Sequence, residues 1–171
     1  DLTHAGDPRV TPGTRARIVG MKFDDASWHT EGDFPAGLPP EAGATHIGMF
    51  LTWLIRAQHL SDAVFADAGD DIFAVQAGTM SGAEFLLTWF DGQLGDAVLS
   101  KTGADFTMAY YEGAGGDVTF LSDYAEAFSD LPGIDTLYKV PDTQESYDRV
   151  GPMISYRFEQ WLHDGRPAFL S

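Results

Sequence analysis

The sequence predicts one mainly α-helical domain of the α+β class, with four or five helices and a few short strands. Three observations carry this. Apolar residues recur at helical spacing behind recognisable N-cap residues at several places along the chain. Glycine and proline cluster between those runs, beside short strand-like pieces. The 171 residues, 44% of them hydrophobic, contain no repeat or linker that would divide the chain.

Met21 to His29 reads as a short strand. Glu31 to Gly43 follows as a loop, since six of its thirteen residues are Gly or Pro. A helix begins at Thr45 as N-cap and runs to about His59, with Ile47, Phe50, Leu51, Leu54 and Gln58 at i, i+3, i+4, i+7 spacing and Met49 and Trp53 widening the apolar face. A helix this apolar is central. Gly48 costs it about 1 kcal/mol of propensity, which implies a close neighbour at the first turn. Ser61 to Ala68 reads as a second helix that ends before Gly69-Asp70-Asp71. Ser81 and Glu84 form a capping box ahead of Phe85, Leu86, Trp89 and Phe90, and that helix stops near Gly92.

Gly95 to Lys101 is ambiguous, and Asp105 to Glu112 fits helix or strand. Gly113 to Gly116 breaks the chain. Val118 to Phe128 runs into another helix capped by Ser122, and Thr136 to Val140 is strand-like. Asp142 and Glu145 resemble a second capping box. Behind them Tyr147, Val150, Ile154, Phe158, Trp161 and Leu162 line a C-terminal helix in which Pro152 predicts a kink or break.

The charge balance excludes several functions. There are 26 Asp and Glu against 10 Lys and Arg, a net charge of -16, on a chain with 12 Phe, 6 Tyr and 4 Trp. Such a surface repels nucleic-acid phosphates and anionic lipid and attracts cationic proteins. No apolar run reaches the roughly 18 residues that span a bilayer. The absence of Cys excludes disulfides, a thiol nucleophile and thiolate zinc sites. Residues 21–171 carry 7 basic and 24 acidic side chains, a net -17, whereas the first twenty are mildly basic. Met21 therefore reads as a natural start, with residues 1–20 an upstream extension or vector-derived arm and residues 21–171 the globular domain.

Two polar regions are candidate sites. Asp24, Asp25, His29, Asp33 and His46, with Glu41 nearby, combine imidazoles with carboxylates, the residue types of a divalent metal site or of acid–base catalysis. The alternative is that they cap helix ends and tie down the loop. His46, in the first turn of the central helix, is expected neutral, buried and hydrogen-bonded, while His59 and His163 near helix C-termini suit the cationic form. The second region is the acidic C-terminal half: Asp117, Asp123, Glu126, Asp130, Asp135, Tyr138, Asp142, Glu145 and Asp148 form a prospective partner-binding surface. All six Tyr lie in that half of the chain, where core packing competes with interface use. Gly113 to Gly116 lacks the Lys-Ser/Thr of a phosphate loop.

Lys22 to His29 (KFDDASWH), Asp33 to Pro35, Leu38 to Leu51 with Trp53, Met80 to Leu86 and Leu137 to Asp148 resemble a bacterial domain family of unknown function. The resemblance covers Met21 to Gly165. Where relatives read Val-Glu-Asp-Thr-Trp-Glu-Asn-Tyr, this chain has Val140-Pro-Asp-Thr-Gln-Glu-Ser-Tyr147, one aromatic fewer. The resemblance implies stand-alone proteins of about this length and transfers no catalytic residue. Small acidic families of this kind are similar, by analogy of class, to immunity proteins that plug the active site of antibacterial toxins. The expectation is thus a cytoplasmic interaction module without catalytic residues, cofactor or metal, which neutralises a basic toxin such as a nuclease and touches neither nucleic acid nor membrane. The alternative is a hydrolase or metal-binding protein using the Asp/His cluster.

Overall fold

In a computed structural model, which describes residues 20–113 and 115–171, the chain is mainly helical with a two-stranded sheet. The expectation for residues 1–20 falls outside the described residues except at Gly20. Seven helices appear among the described residues rather than four or five.

Strand β1 (Lys22–Asp25) ends early, because Asp25 turns the chain into helix α1 (Ala26–Thr30) by accepting from the Ser27 amide. The expected strand to His29 is therefore half helix. A 3-10 turn, Pro40–Ala44, delivers the chain into α2 (Thr45–Arg56), whose N-cap is Ala44 rather than Thr45. Helix α3 (Asp62–Ala77) is capped by Ser61 and continues past the expected stop. Ala68 leaves helical geometry, so Gly69-Asp70-Asp71 marks a kink instead of an end.

Helix α4 (Gly82–Phe90) has the full Ser81/Glu84 capping box and ends at Asp91 in the left-handed region. Strand β2 (Gln93–Gly95) then pairs antiparallel with β1. Helix α5 (Lys101–Thr107) loosens into a π-helical turn, Met108–Glu112, and α6 (Phe120–Ala127) is capped by Thr119, not Ser122. Leu137–Lys139 is a 3-10 turn, since the strand-like Thr136 to Val140 has no neighbouring strand to pair with among the described residues.

Helix α7 (Gln144–His163) is capped by Thr143 and runs unbroken through Pro152. Pro152 and Asp148, whose carbonyl the missing N–H frees, are both exposed, so the freed carbonyl is not shut in the core.

Helix α2 is the hub, buried from Thr45 to Ile55 and packed against α3, α4 and α7. Its close neighbour at Gly48 is α4: a Cβ at Gly48 would overlap the Ala83 backbone, and one at Gly82 would overlap the Gly48 carbonyl. The aromatic core lies on its other side. Phe50 contacts Phe106, Tyr110, Tyr111 and Phe120 at centroid distances of 5.0 to 6.2 Å. No helix among the described residues is long and apolar enough to cross a membrane.

Candidate functional site

A β-bulge aims the central carboxylate. β1 has an extra residue between Lys22, opposite Gly95, and Asp24, opposite Leu94, and such bulges re-aim side chains. Asp24 is thereby buried under α2. Its Oδ1 accepts from the Asp25 amide at 2.8 Å and from His29 Nε2 at 2.7 Å. Its Oδ2 accepts from His46 Nε2 at 3.3 Å and from the Tyr111 hydroxyl. Four donors fill the acceptor sites of one carboxylate.

Burial alone would raise the Asp24 pKa, but the hydrogen bonds from His29, His46 and Tyr111 outweigh it and hold the group well below the usual carboxylate range. Burial likewise lowers the His46 pKa against the pull of Asp24, so this fully buried imidazole is neutral at pH 7. A carboxylate only accepts, so both Nε2 atoms carry hydrogen when they bond to it. His29 Nδ1 then accepts from the Tyr138 hydroxyl at 2.7 Å. Among the described residues His46 Nδ1 has no partner, and neither does the buried hydroxyl of Tyr124, whose ring centroid lies 6.3 Å from that of His46. Burial raises the pKa of Tyr111 and Tyr138, with the Asp24 charge adding to it, so both are phenols.

One ligand atom each from Asp24, His29 and His46 lies within 4.8 Å of the others. The other nominated residues stand apart from this cluster. Asp25 faces away, accepting from the Ser27 amide and hydroxyl and pairing with Lys22 at 3.0 Å. Asp33 and Glu41 are exposed. Tyr111 and Tyr138, absent from the nominated cluster, complete it. The π-helical turn that carries Tyr111 is a signal, because π-bulges recur at functional sites, but it is not visible in the sequence.

A groove of about 640 Å³ opens on the other side of Tyr138, between the Leu38-Pro39 loop, the start of α2, α4 and Val140-Pro141. Tyr138 thus touches both groove and cluster.

A family model for a domain of unknown function, DUF7832, matches residues 22–140. The chain belongs to the DUF7832 family. All five residues of the Asp24 network fall inside the span matched by DUF7832, which ends at Val140, ahead of α7. No curated protein and no solved structure matches this DUF7832 chain.

The acidic half is less uniform than its composition suggests. Asp123 is buried and cannot meet a partner: Arg157 binds both its oxygens, at 2.9 and 3.2 Å, and the Tyr110 hydroxyl donates to it at 2.6 Å. Asp130 pairs with Arg149 at 3.0 Å and Asp135 with Lys139 at 2.8 Å. Asp117, Glu126, Asp142, Glu145 and Asp148 are exposed. Of the six Tyr, Tyr110, Tyr111 and Tyr124 are buried, Tyr138 and Tyr147 half-buried, and only Tyr156 exposed. His59 stacks on Trp53 and meets Phe158 at a tilt, and burial lowers its pKa, contrary to the cationic state expected for it.

Proposed function

We propose that Asp24, His29 and His46 hold one divalent transition metal and that the protein is a metal-dependent hydrolase of the two-histidine, one-carboxylate kind. The supporting observation is convergence in a competent protonation state: an ionised carboxylate and a neutral buried imidazole meet a second imidazole within 4.8 Å. Zinc ligands about 2.0–2.1 Å from the ion stand roughly 3.3 Å apart in a tetrahedron. Asp24 and His46 are already at that separation, and the 2.7 Å contact to His29 has only to relax slightly. Three protein ligands leave a position for water, whose acidity the ion raises. His29, the most exposed of the three at 18%, is the residue of the set nearest solvent, and its Nδ1 contacts Tyr138.

Calorimetric titration of metal-stripped protein with Zn²⁺ and Mn²⁺ tests the site. One equivalent should bind, raise the melting temperature and be lost in both His29→Ala and His46→Ala. If no ion binds or stabilises the protein, the network is instead a lock that ties β1, α1 and α2 to Tyr111 and Tyr138.

A second reading, an immunity-type interaction protein, draws on the exposed carboxylates of Asp117, Glu126, Asp142, Glu145 and Asp148, which form no ion pair among the described residues. A cationic toxin surface would be steered to them. Mixing with the products of adjacent genes, followed by size-exclusion chromatography, should yield a salt-sensitive complex; failure with every neighbour counts against it.

A further inference from the structure

The groove beside Tyr138 has the chemistry of a substrate cleft. Leu38, Pro39, Leu87, Val140 and Pro141 give it apolar walls, and about 640 Å³ lies within the roughly 300–1,000 Å³ of small-molecule pockets. Its charged lining is one-sided. Glu41, Glu84 and Asp142 face Lys139 alone, whose ammonium is engaged by Asp135 at 2.8 Å.

Asp142 is exposed and lines the groove next to Val140 and Pro141, the residues of its apolar wall. Unlike Asp123, Asp130 and Asp135, it forms no ion pair with Lys, Arg or His among the described residues. Desolvation outweighs a hydrogen bond from Ser81 and, with the nearby Glu84 charge adding to it, pushes its carboxyl above the usual range. An exposed carboxylate beside an apolar wall and a like charge is stabilised by an arriving cation, whereas an anion meets repulsion from all three acids. The apolar walls meanwhile favour a ligand with a hydrocarbon body.

We propose that this groove binds a small amphipathic organic cation, a protonated amine or guanidinium on an apolar body, with the charge at Asp142 and the body against Leu87 and Val140. As the substrate class of the hydrolase, this rests on the metal reading, because Tyr138 is what joins the groove to His29; binding itself does not require the ion.

The test is titration, in EDTA, with 3-phenylpropylamine, 3-phenylpropan-1-ol and 3-phenylpropionate, followed by calorimetry and by the indole signals of the protein. The amine should bind at least tenfold more tightly than the alcohol, and the carboxylate should not bind. Asp142→Asn should remove the preference for the amine without lowering the melting temperature, and Leu87→Arg, which places a cation on the groove wall, should abolish amine binding. Equal binding of amine and alcohol, or a preference that survives Asp142→Asn, overturns the proposal. Amine selectivity without metal binding overturns only the metal centre, and metal binding without amine selectivity overturns only this inference.

Discussion

His29 and His46 meet edge to face, with ring centroids 4.4 Å apart and planes at 84°, and each bonds a different oxygen of Asp24. Two imidazolium ions this close would repel strongly, and the single charge of Asp24 offsets only one of them. Burial, with a smaller contribution from the neighbouring His29, keeps His46 neutral. The pair also differs behind the ring: His29 Nδ1 reaches Tyr138, and His46 Nδ1 has no partner among the described residues.

That difference governs metal affinity. An ion on Nε2 moves the hydrogen of each imidazole to Nδ1, where it needs an acceptor. The Tyr138 oxygen can reverse its role and accept from His29. Tyr138→Phe removes this support, and loss of such a partner costs about 10–100-fold in metal affinity. Calorimetry with Zn²⁺ should show that weakening with stoichiometry unchanged. Undiminished affinity would mean that the ion does not use His29 Nε2.

Acid stability should fall in two stages in metal-free protein. His46 and His59 have pKa values lowered by folding, so below about pH 6.5 the unfolded chain binds protons that the native protein does not. Stability is therefore lost as pH falls below 6.5 toward the folded pKa values, by at most about 1.4 kcal/mol per pH unit for each proton. Asp24 adds a later stage. Its stabilisation is present above 3.8 and disappears as pH falls from there toward its lower folded value. Urea unfolding from pH 7.5 to 3 checks the order, and His59→Phe, which keeps an aromatic ring against Trp53 and Phe158, should reduce the first stage and leave the second unchanged.

Local sequence signals identify an element correctly where the chain decides its own conformation. Ser81 and Glu84 specify their helix start within four residues, and the spacing from Ile47 to Leu54 makes α2 the buried hub whatever surrounds it. Gly48, costly in a helix interior, correctly implied a close neighbour. Errors arose where distant residues decide. Thr136 to Val140 alternates like a strand but has no partner strand, and Asp123 looks like a surface acid until Arg157, 34 residues away, closes on it. Asp24, His29 and His46 were nominated together, but Tyr111 is 87 residues from Asp24, and no spacing rule links them. Asp25 and Asp33 have the same composition signal as Asp24; only the β1 bulge tells the inward carboxylate from its neighbours.

The two classes of acid in the C-terminal half separate by mutation. Asp123→Ala leaves Arg157 without its bidentate partner and Tyr110 without its acceptor, and should cost about 3 kcal/mol. Asp130→Ala removes an exposed pair with Arg149 and should cost less than about 1 kcal/mol. Equilibrium denaturation of the two variants measures the contrast directly, and equal costs would place Asp123 at the surface after all.

The crossing of α2 and α4 gives opposite signs to one chemical change. Propensity favours Ala over Gly inside a helix by about 1 kcal/mol. At Gly48 a methyl group would run into the Ala83 backbone, and at Gly82 into the Gly48 carbonyl and the Thr52 hydroxyl, which itself bonds that carbonyl at 2.7 Å. Backbone cannot rotate aside as a side chain can, so the helices must separate, and overpacking of this kind costs roughly 1–3 kcal/mol or more. Both Gly48→Ala and Gly82→Ala should therefore lower stability despite the propensity gain. Gly69, just past the Ala68 kink in α3, has nothing within 4 Å of an added Cβ. There the same substitution should raise stability by up to about 1 kcal/mol. Separation of the helices at Gly48 would also carry His46 away from Asp24, so Gly48→Ala should weaken Zn²⁺ binding while Gly69→Ala leaves it unchanged.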